Sequence, residues 1–266
     1  VVEWIKKVHP RMAAQWLLPV CAETWDGYLH DINGGHVTPA HVRAALDTAA
    51  PGPIAEGSVG GGTGMNCYAF KGGSGTSSRT IEFGSTTYTV GVFVQANFGA
   101  RKELEINGVP VGPTLEVPNP FETTDWFEKD LRVPGGAGSV IIVVATDAPL
   151  VAAQCEAMAR RVPMGLARTG TTGSLFSGDL FLAFSVANDR GPTAELASGA
   201  PGAADIATVE VMSWGRMDPF YAATVYAVEE AVINAMVAAD DMTGRNGHFS
   251  PALPHDRVRD LLAARV

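Results

Sequence analysis

The stretch Gly138-Ser139-Val140-Ile141-Ile142-Val143-Val144 decides how this chain folds, because it sets a β-branched, uncharged run directly behind a break. The break is Pro134-Gly135-Gly136-Ala137-Gly138, whose proline and three glycines are unsuited to the interior of a helix or strand. Branched side chains pack well on a pleated surface, and an apolar run of this length bounded by turn residues predicts a fully buried strand. On the C-terminal side, Asp147-Ala148-Pro149 predicts a helix start, with an end at Arg160-Arg161 where two cations suit the negative end of the helix dipole. Leu180–Val186 reads as a second buried strand. Asp218-Pro219 opens a long helix from Phe220 to about Ala239, so rich in Ala and Val that burial on most sides is expected. Pro254 and His255 lead through Asp256 into a short Arg- and Leu-rich helix that closes at Val266.

Toward the N-terminus, Glu103–Ile106, Asn107-Gly108 and Val109–Val111 give the tightest hairpin signal, a two-residue turn of types that tolerate positive φ. Thr80–Phe83 and Thr86–Ala96 alternate as strands, and Gly57 to Gly75 reads as a glycine-dense loop. Thr38-Pro39 supplies a cap and a first-turn proline for a helix with Val42, Ala45, Leu46 and Ala49 on one face, ending before Pro51. Leu17–Glu23, Trp25-Asp26-Gly27 and Tyr28-Leu29-His30 read as strand, turn and strand. Val1 to Val8 is an amphipathic helix already under way, with no Met, capping residue or signal peptide before it, so a fragment missing its natural beginning is expected. Strands and helices follow in mixed succession with no repeat, which predicts an α+β class with helices sandwiching sheets.

Composition narrows the functions. The 266 residues carry 30 Gly and 17 Pro, 46% hydrophobic and 18% charged residues, which excludes a mainly disordered chain and leaves room for an apolar surface such as an oligomer interface. A net charge of −9 without a basic stripe argues against nucleic acid or an anionic membrane as partner, and no apolar run reaches the ~18 residues of a membrane span. Cys21, Cys67 and Cys155 are too widely spaced for a disulfide framework or a zinc knuckle and read as buried free thiols. Both a cytoplasmic and a periplasmic setting fit.

Several familiar sites are missing. Gly-x-Ser-x-Gly occurs nowhere, which removes the sequence anchor of an α/β-hydrolase triad. Gly60-Gly61-Gly62-Thr63-Gly64 lacks the Lys-Ser/Thr of a phosphate loop and no apolar strand leads into it, so a tight structural loop is expected. The six histidines form no i, i+4 pair and no His-Glu-x-x-His, and no metal or cofactor is expected.

Two readings of Ser139 stand at this point. In the first it is a strand-entry residue behind a turn. In the second, glycines upstream let the backbone fold back so that the hydroxyl attacks the carbonyl of Gly138. Rupture of Gly138–Ser139 would leave the serine an α-amine of pKa ~7.7–8.0, a usable base at neutral pH, so nucleophile and base would share one residue.

The run from Gly138 to Leu150 resembles the second-chain start of the L-aminopeptidase/D-esterase and β-peptidyl aminopeptidase family. The resemblance extends over nearly the whole chain through Leu17-Leu-Pro-Val-Cys-Ala-Glu-Thr-Trp-Asp-Gly27, Asp31-Ile-Asn-Gly34, Gly60-Gly-Gly-Thr-Gly-Met65 and Lys71-Gly-Gly73. It continues in Val94-Gln-Ala-Asn97, Ser177-Gly-Asp179 and Ala252-Leu-Pro-His-Asp-Arg257. It implies an αββα sandwich of N-terminal-nucleophile type, and self-cleavage into residues 1–138, the remainder of a first chain lacking its N-terminal part, and residues 139–266, which together form one domain. It also implies release of N-terminal residues from peptides, amides or esters bearing a free amino terminus, and a homo-oligomer of two-chain units. By the same resemblance Ser139 is nucleophile and new N-terminus, and Asn97 is an oxyanion-stabilising amide. Ser177 and Asp179 orient the nucleophile and carry its proton, although some relatives have Glu at the position of Asp179. Glu23 matches an acid that holds the substrate ammonium, and Trp25 stands where relatives can carry Tyr. Self-cleaving ornithine acetyltransferases share a similar architecture but use Thr, against which Ser139 argues; a catalytically silent member of the fold is the other alternative.

Overall fold

The computed structural model describes residues 1–13, 17–122, 138–188 and 199–264. The helices α1 (Val2–Val8), α2 (Pro10–Ala13) and α3 (Pro39–Asp47) come first. Two short strands, β1 (Asn66–Cys67) and β2 (Phe70–Lys71), precede the long antiparallel pair β3 (Gly73–Phe83) and β4 (Thr86–Asn97). After the single turn α4 (Val111–Thr114) come β5 (Ser139–Thr146), α5 (Ala152–Ala159), α6 (Val162–Ala167) and β6 (Leu180–Ser185). The chain finishes with α7 (Asp218–Val237), the strand pair β7 (Met242–Thr243) and β8 (Phe249–Ser250), and α8 (His255–Ala263).

The central sheet has the order β3-β4-β5-β6, with β5 antiparallel to β4 and parallel to β6 across a crossover that contains α5 and α6. One face carries Val90, Val92 and Val94 of β4 beside Val140, Ile142 and Val144 of β5, all buried against α7. Each such side chain contributes ~1.5–3 kcal/mol by leaving water. The α7 stripe is Phe220, Ala223, Ala227, Val228, Ala231, Val232 and Ala235. Small residues let that helix approach so closely that a Cβ at Gly75 would meet the Ala231 carbonyl oxygen at 2.0 Å. On the opposite face Phe93, Ile141 and Val143 are half-buried, while Leu180, Leu182 and Phe184 of β6 are 48%, 50% and 41% exposed. Among the described residues no helix is long and apolar enough to cross a membrane.

The structure keeps the α+β class, the α3 helix behind Thr38-Pro39, strands at Thr80–Phe83 (within the longer β3) and Thr86–Ala96, β5 and α7, and it corrects other expectations. Residues 17–26 form no strand: Leu18 and Val20 are 88% and 86% exposed with no strand beside them among the described residues, and Tyr28-Leu29-His30 is a turn. Part of the Gly57–Gly75 stretch is ordered into β1, β2 and the start of β3. Asn107 and Gly108 do form the tight turn, with φ of 52° and 69°, but only the bridge Ile106–Val109 flanks it, because a short 3₁₀ turn and α4 occupy the ends of the expected strands. Helix α5 begins at Ala152 rather than Asp147, whose carboxylate instead accepts the Thr89 N–H at 2.7 Å. Strand β6 lies at the sheet edge and is not buried, β5 is fully buried on one face alone, and Cys21 is exposed while Cys67 and Cys155 are buried. Most of the Pro134–Gly138 break lies outside the described residues.

Candidate active site

Antiparallel pairing of β4 with β5 sets Asn97, the last residue of one strand, directly opposite Ser139, the first of the other. Side chains alternate along a strand, so both stand on the face away from α7, in line with Gln95 and Ile141. Ser139 is 9% exposed and Asn97 6%. Gly138 runs so close to the end of β4 that a Cβ there would lie 2.0 Å from the Asn97 carbonyl oxygen, so only glycine fits before this serine.

The Asn97 carboxamide is held at both ends. Its Oδ1 accepts the Asn66 backbone N–H at 3.0 Å, and its Nδ2 donates to the Trp25 carbonyl at 2.7 Å. These two bonds also fix which end is nitrogen, and they leave the second Nδ2 hydrogen for an oxygen in the site. Asn66 is itself tied by the Ser250 hydroxyl, which donates to its Oδ1.

The segment Ser177-Gly178-Asp179 closes the other side. Ser177 Oγ donates to Asp179 Oδ1 at 2.5 Å, and the same oxygen accepts the Val140 N–H at 3.2 Å. The Gly178 N–H donates to the Gly138 carbonyl at 3.3 Å, and a Cβ on Gly178 would stand 3.5 Å from Ser139 Oγ. Asp179 therefore grips the strand beside Ser139 through its backbone. Ser139, Asn97, Ser177 and Asp179 are brought together; among the described residues no hydrogen bond joins the Asp179 carboxylate to the Ser139 hydroxyl. Trp25 joins the group by its carbonyl, with its indole half in solvent. Glu23 is exposed and makes no hydrogen bond or ion pair among the described residues.

The glycine loop is packed as a structural element. Added Cβ atoms would meet the Gln95 side chain at 2.3 Å from Gly61, the Ser74 nitrogen at 2.4 Å from Gly62, and the Asp26 carboxylate at 2.4 Å from Gly64. The loop thus lies on the sheet end beside Asn97 and on the turn that follows Trp25. Asn66, Gly178, Ser250 and Lys71 belong to this neighbourhood and carried no role in the sequence reading. The sequence signal for Lys71 is a lysine set among Cys67, Phe70 and two glycines, where a cation is costly to bury.

A chemical capacity follows from this arrangement. A serine hydroxyl lies at a strand start, opposite a pre-oriented amide donor, with the preceding carbonyl held by a backbone N–H. Oriented donors of this kind serve charge that develops on an oxygen during acyl transfer.

Known proteins resemble this chain in sequence and fold. The family model of Peptidase family S58 matches residues 1–250. Beta-peptidyl aminopeptidase BapA of Sphingosinicella microcystinivorans is 44% identical over 265 residues, covering 98% of this chain and 64% of the relative. Its namesake in Sphingosinicella xenopeptidilytica is 42% identical, covering 100% and 65%. The chain therefore spans a little under two thirds of the length of these curated relatives. The solved L-aminopeptidase D-Ala-esterase/amidase of Ochrobactrum anthropi, described as a prototype of the serine aminopeptidases with a variant Ntn hydrolase fold, superposes with a TM-score of 0.84 at 41% identity, covering 99% of this chain and 69% of that one. The described sheet and helices are thus those of the N-terminal-nucleophile sandwich expected from the sequence, and the chain belongs to peptidase family S58.

Proposed function

We propose that this chain carries the catalytic centre of a self-cleaving serine aminopeptidase that releases N-terminal residues from peptides, amides or esters. The observation that carries the reading is the pairing of Ser139 with Asn97 at the sheet end, with Gly138 forced to be glycine and its carbonyl held by Gly178. In the first reaction Ser139 Oγ bonds to the Gly138 carbonyl carbon, the peptide C–N bond breaks to an ester, and water hydrolyses that ester to give 1–138 and 139–266. The Gly178 N–H lies where it can stabilise the oxyanion of this step.

The new α-amine of Ser139, with an ordinary pKa of ~7.7–8.0, then serves as base. It takes the hydroxyl proton as Oγ attacks the substrate carbonyl, Asn97 Nδ2–H faces the developing oxyanion, and the proton passes to the departing amine or alcohol. Water repeats the sequence on the acyl-enzyme. Ser177 and Asp179 hold the strand start in register during both halves. Glu23 and Trp25 are assigned to the substrate's free ammonium and its neighbouring apolar portion, an assignment that rests on the match of Leu17–Gly27 to the family. Related structures named for β-amino and for D-alanyl substrates support small aminoacyl amides and esters as the substrate class.

A denaturing gel combined with an aminoacyl p-nitroanilide assay tests this. Wild type is expected as two bands, 1–138 and 139–266, with turnover; Ser139→Ala as a single uncleaved band without it. Turnover that survives in Ser139→Ala, or an intact, inactive wild type, overturns the proposal and favours a silent module of the same fold.

A further inference from the structure

Lys71 is fully buried beneath the site, and its Nζ donates to the Gly62 carbonyl at 3.1 Å and to the Gly72 carbonyl at 2.7 Å. A primary ammonium has three donors, and a buried cation without a compensating charge is among the costliest groups a fold can hold. The titratable groups that face it are Asp26 and Cys67. Burial pushes the Cys67 thiol up, so it stays neutral and Asp26 supplies the opposing charge. Asp26 is largely shielded, stands 3.3 Å from His30 Nδ1, and receives the Leu29 and His30 N–H groups on its backbone carbonyl. Its side chain also lies against Gly64. One residue before it is Trp25, whose carbonyl holds the Asn97 amide.

Resting on the function proposed above, we propose that Lys71 is a positioning residue for the Asn97 oxyanion donor. Its ammonium ties the Gly62 and Gly72 carbonyls together, and its charge attracts the Asp26 carboxylate, which lies against the same loop at Gly64, so that the turn carrying the Trp25 carbonyl is held where it aims the carboxamide. The charged form is the working one. A neutral amine keeps two donors for the two carbonyls but no longer attracts the Asp26 carboxylate, and the turn carrying Trp25 is then held less firmly. Desolvation lowers the Lys71 pKa from 10.5 to about 8, with Asp26 acting against the fall, so this loss of charge occurs within an accessible pH range.

The pH profile of kcat reads the role directly, because the two amines titrate in opposite senses. The rate rises as the Ser139 α-amine loses its proton and falls as Lys71 loses its own, giving a bell. In Lys71→Met the plateau is expected on the order of tenfold to a hundredfold lower, KM within about threefold, and the alkaline limb gone, as for a loss confined to the transition state. In Asp26→Asn, where Lys71 keeps its place without its counter-charge, the alkaline limb moves to lower pH. An alkaline limb that persists in Lys71→Met, or stays in place in Asp26→Asn, overturns the assignment. Amide hydrogen exchange separates this inference from the function it rests on: with or without turnover, Lys71→Met must speed exchange at Leu29, His30, Gly62 and Thr63 by tenfold or more while β4 and β5 keep their protection. Unchanged exchange at those four amides sinks the clamp even if the enzyme is active, and faster exchange sustains it even if Ser139 proves silent.

Discussion

Asn97 joins structure to chemistry within a single side chain, since the two bonds that hold its carboxamide also decide which hydrogen is left to act. Asn97→Ala is expected to lower kcat by ~10²–10³, the scale seen when one oxyanion donor is removed. It also strands the Asn66 N–H and the Trp25 carbonyl, so a fall of ~1–3 kcal/mol in unfolding free energy accompanies the kinetic loss. Steady-state kinetics beside urea titration resolves the two effects. A variant that loses stability but keeps kcat would place the oxyanion donor elsewhere, with the Gly178 N–H next in line. Of the residues named from sequence, Ser139 could be read locally as a nucleophile behind glycines, whereas Asn97, Ser177 and Asp179 were named through the family resemblance of the blocks that contain them. Lys71 and Asn66 were not, since their work depends on the Gly62 carbonyl and the Asn97 amide, partners supplied by other segments.

At the level of elements, strand registry does the placing. The β4–β5 ladder runs without interruption from Val90–Thr146 to Asn97–Ser139, so each residue of the β-branched run fixes the one before it. The ladder is in turn clamped by α7, which rests on β3 at Gly75. Gly75→Ala puts a methyl 2.0 Å from the Ala231 carbonyl and 2.7 Å from the Ala235 nitrogen, both backbone atoms with little room to yield. The expected outcome is a loss of ~1–3 kcal/mol as α7 shifts outward, read as a lower urea midpoint. Strands and helices were recognised where an apolar run found a long-range partner, as in β4, β5 and α7, and β3 only over its last residues Thr80–Phe83. They were misread where local pattern had none: Leu17–Glu23 looks like a strand, yet Leu18 and Val20 are exposed and no strand pairs with it among the described residues.

For the whole molecule, the buried charge at Lys71 enters the stability balance with a definite sign. Its pKa is about 8 in the folded chain and 10.5 as the ordinary value, so between these limits the unfolded chain binds more protons than the folded one. Stability from this group therefore rises with pH across the window from about 8 to 10.5, and the cost of burying the cation is fully present below it. Thermal unfolding of wild type against Lys71→Met should show the wild type gaining on the variant as pH goes from 7.5 to ~10. A gap that stays constant with pH would mean that Lys71 keeps its proton throughout. The fold tolerates this expense at a point that touches the site, where replacement by an apolar side chain of similar volume is often neutral or stabilising.

The amino-acid sequence by itself determined the α+β class, the strand from Val140 to Val144, the long α7 helix and the serine placed behind glycines. These are set by the period of apolar residues and the conformational limits of Gly and Pro, which act over a few neighbours. Only the tertiary structure decided that Asn97 faces Ser139, that Asp179 grips the Val140 backbone, that β6 lies at an edge, and that one lysine lies sealed under the glycine loop. Those facts depend on which distant segments meet, and on the desolvation and hydrogen bonding that arise only once they have done so.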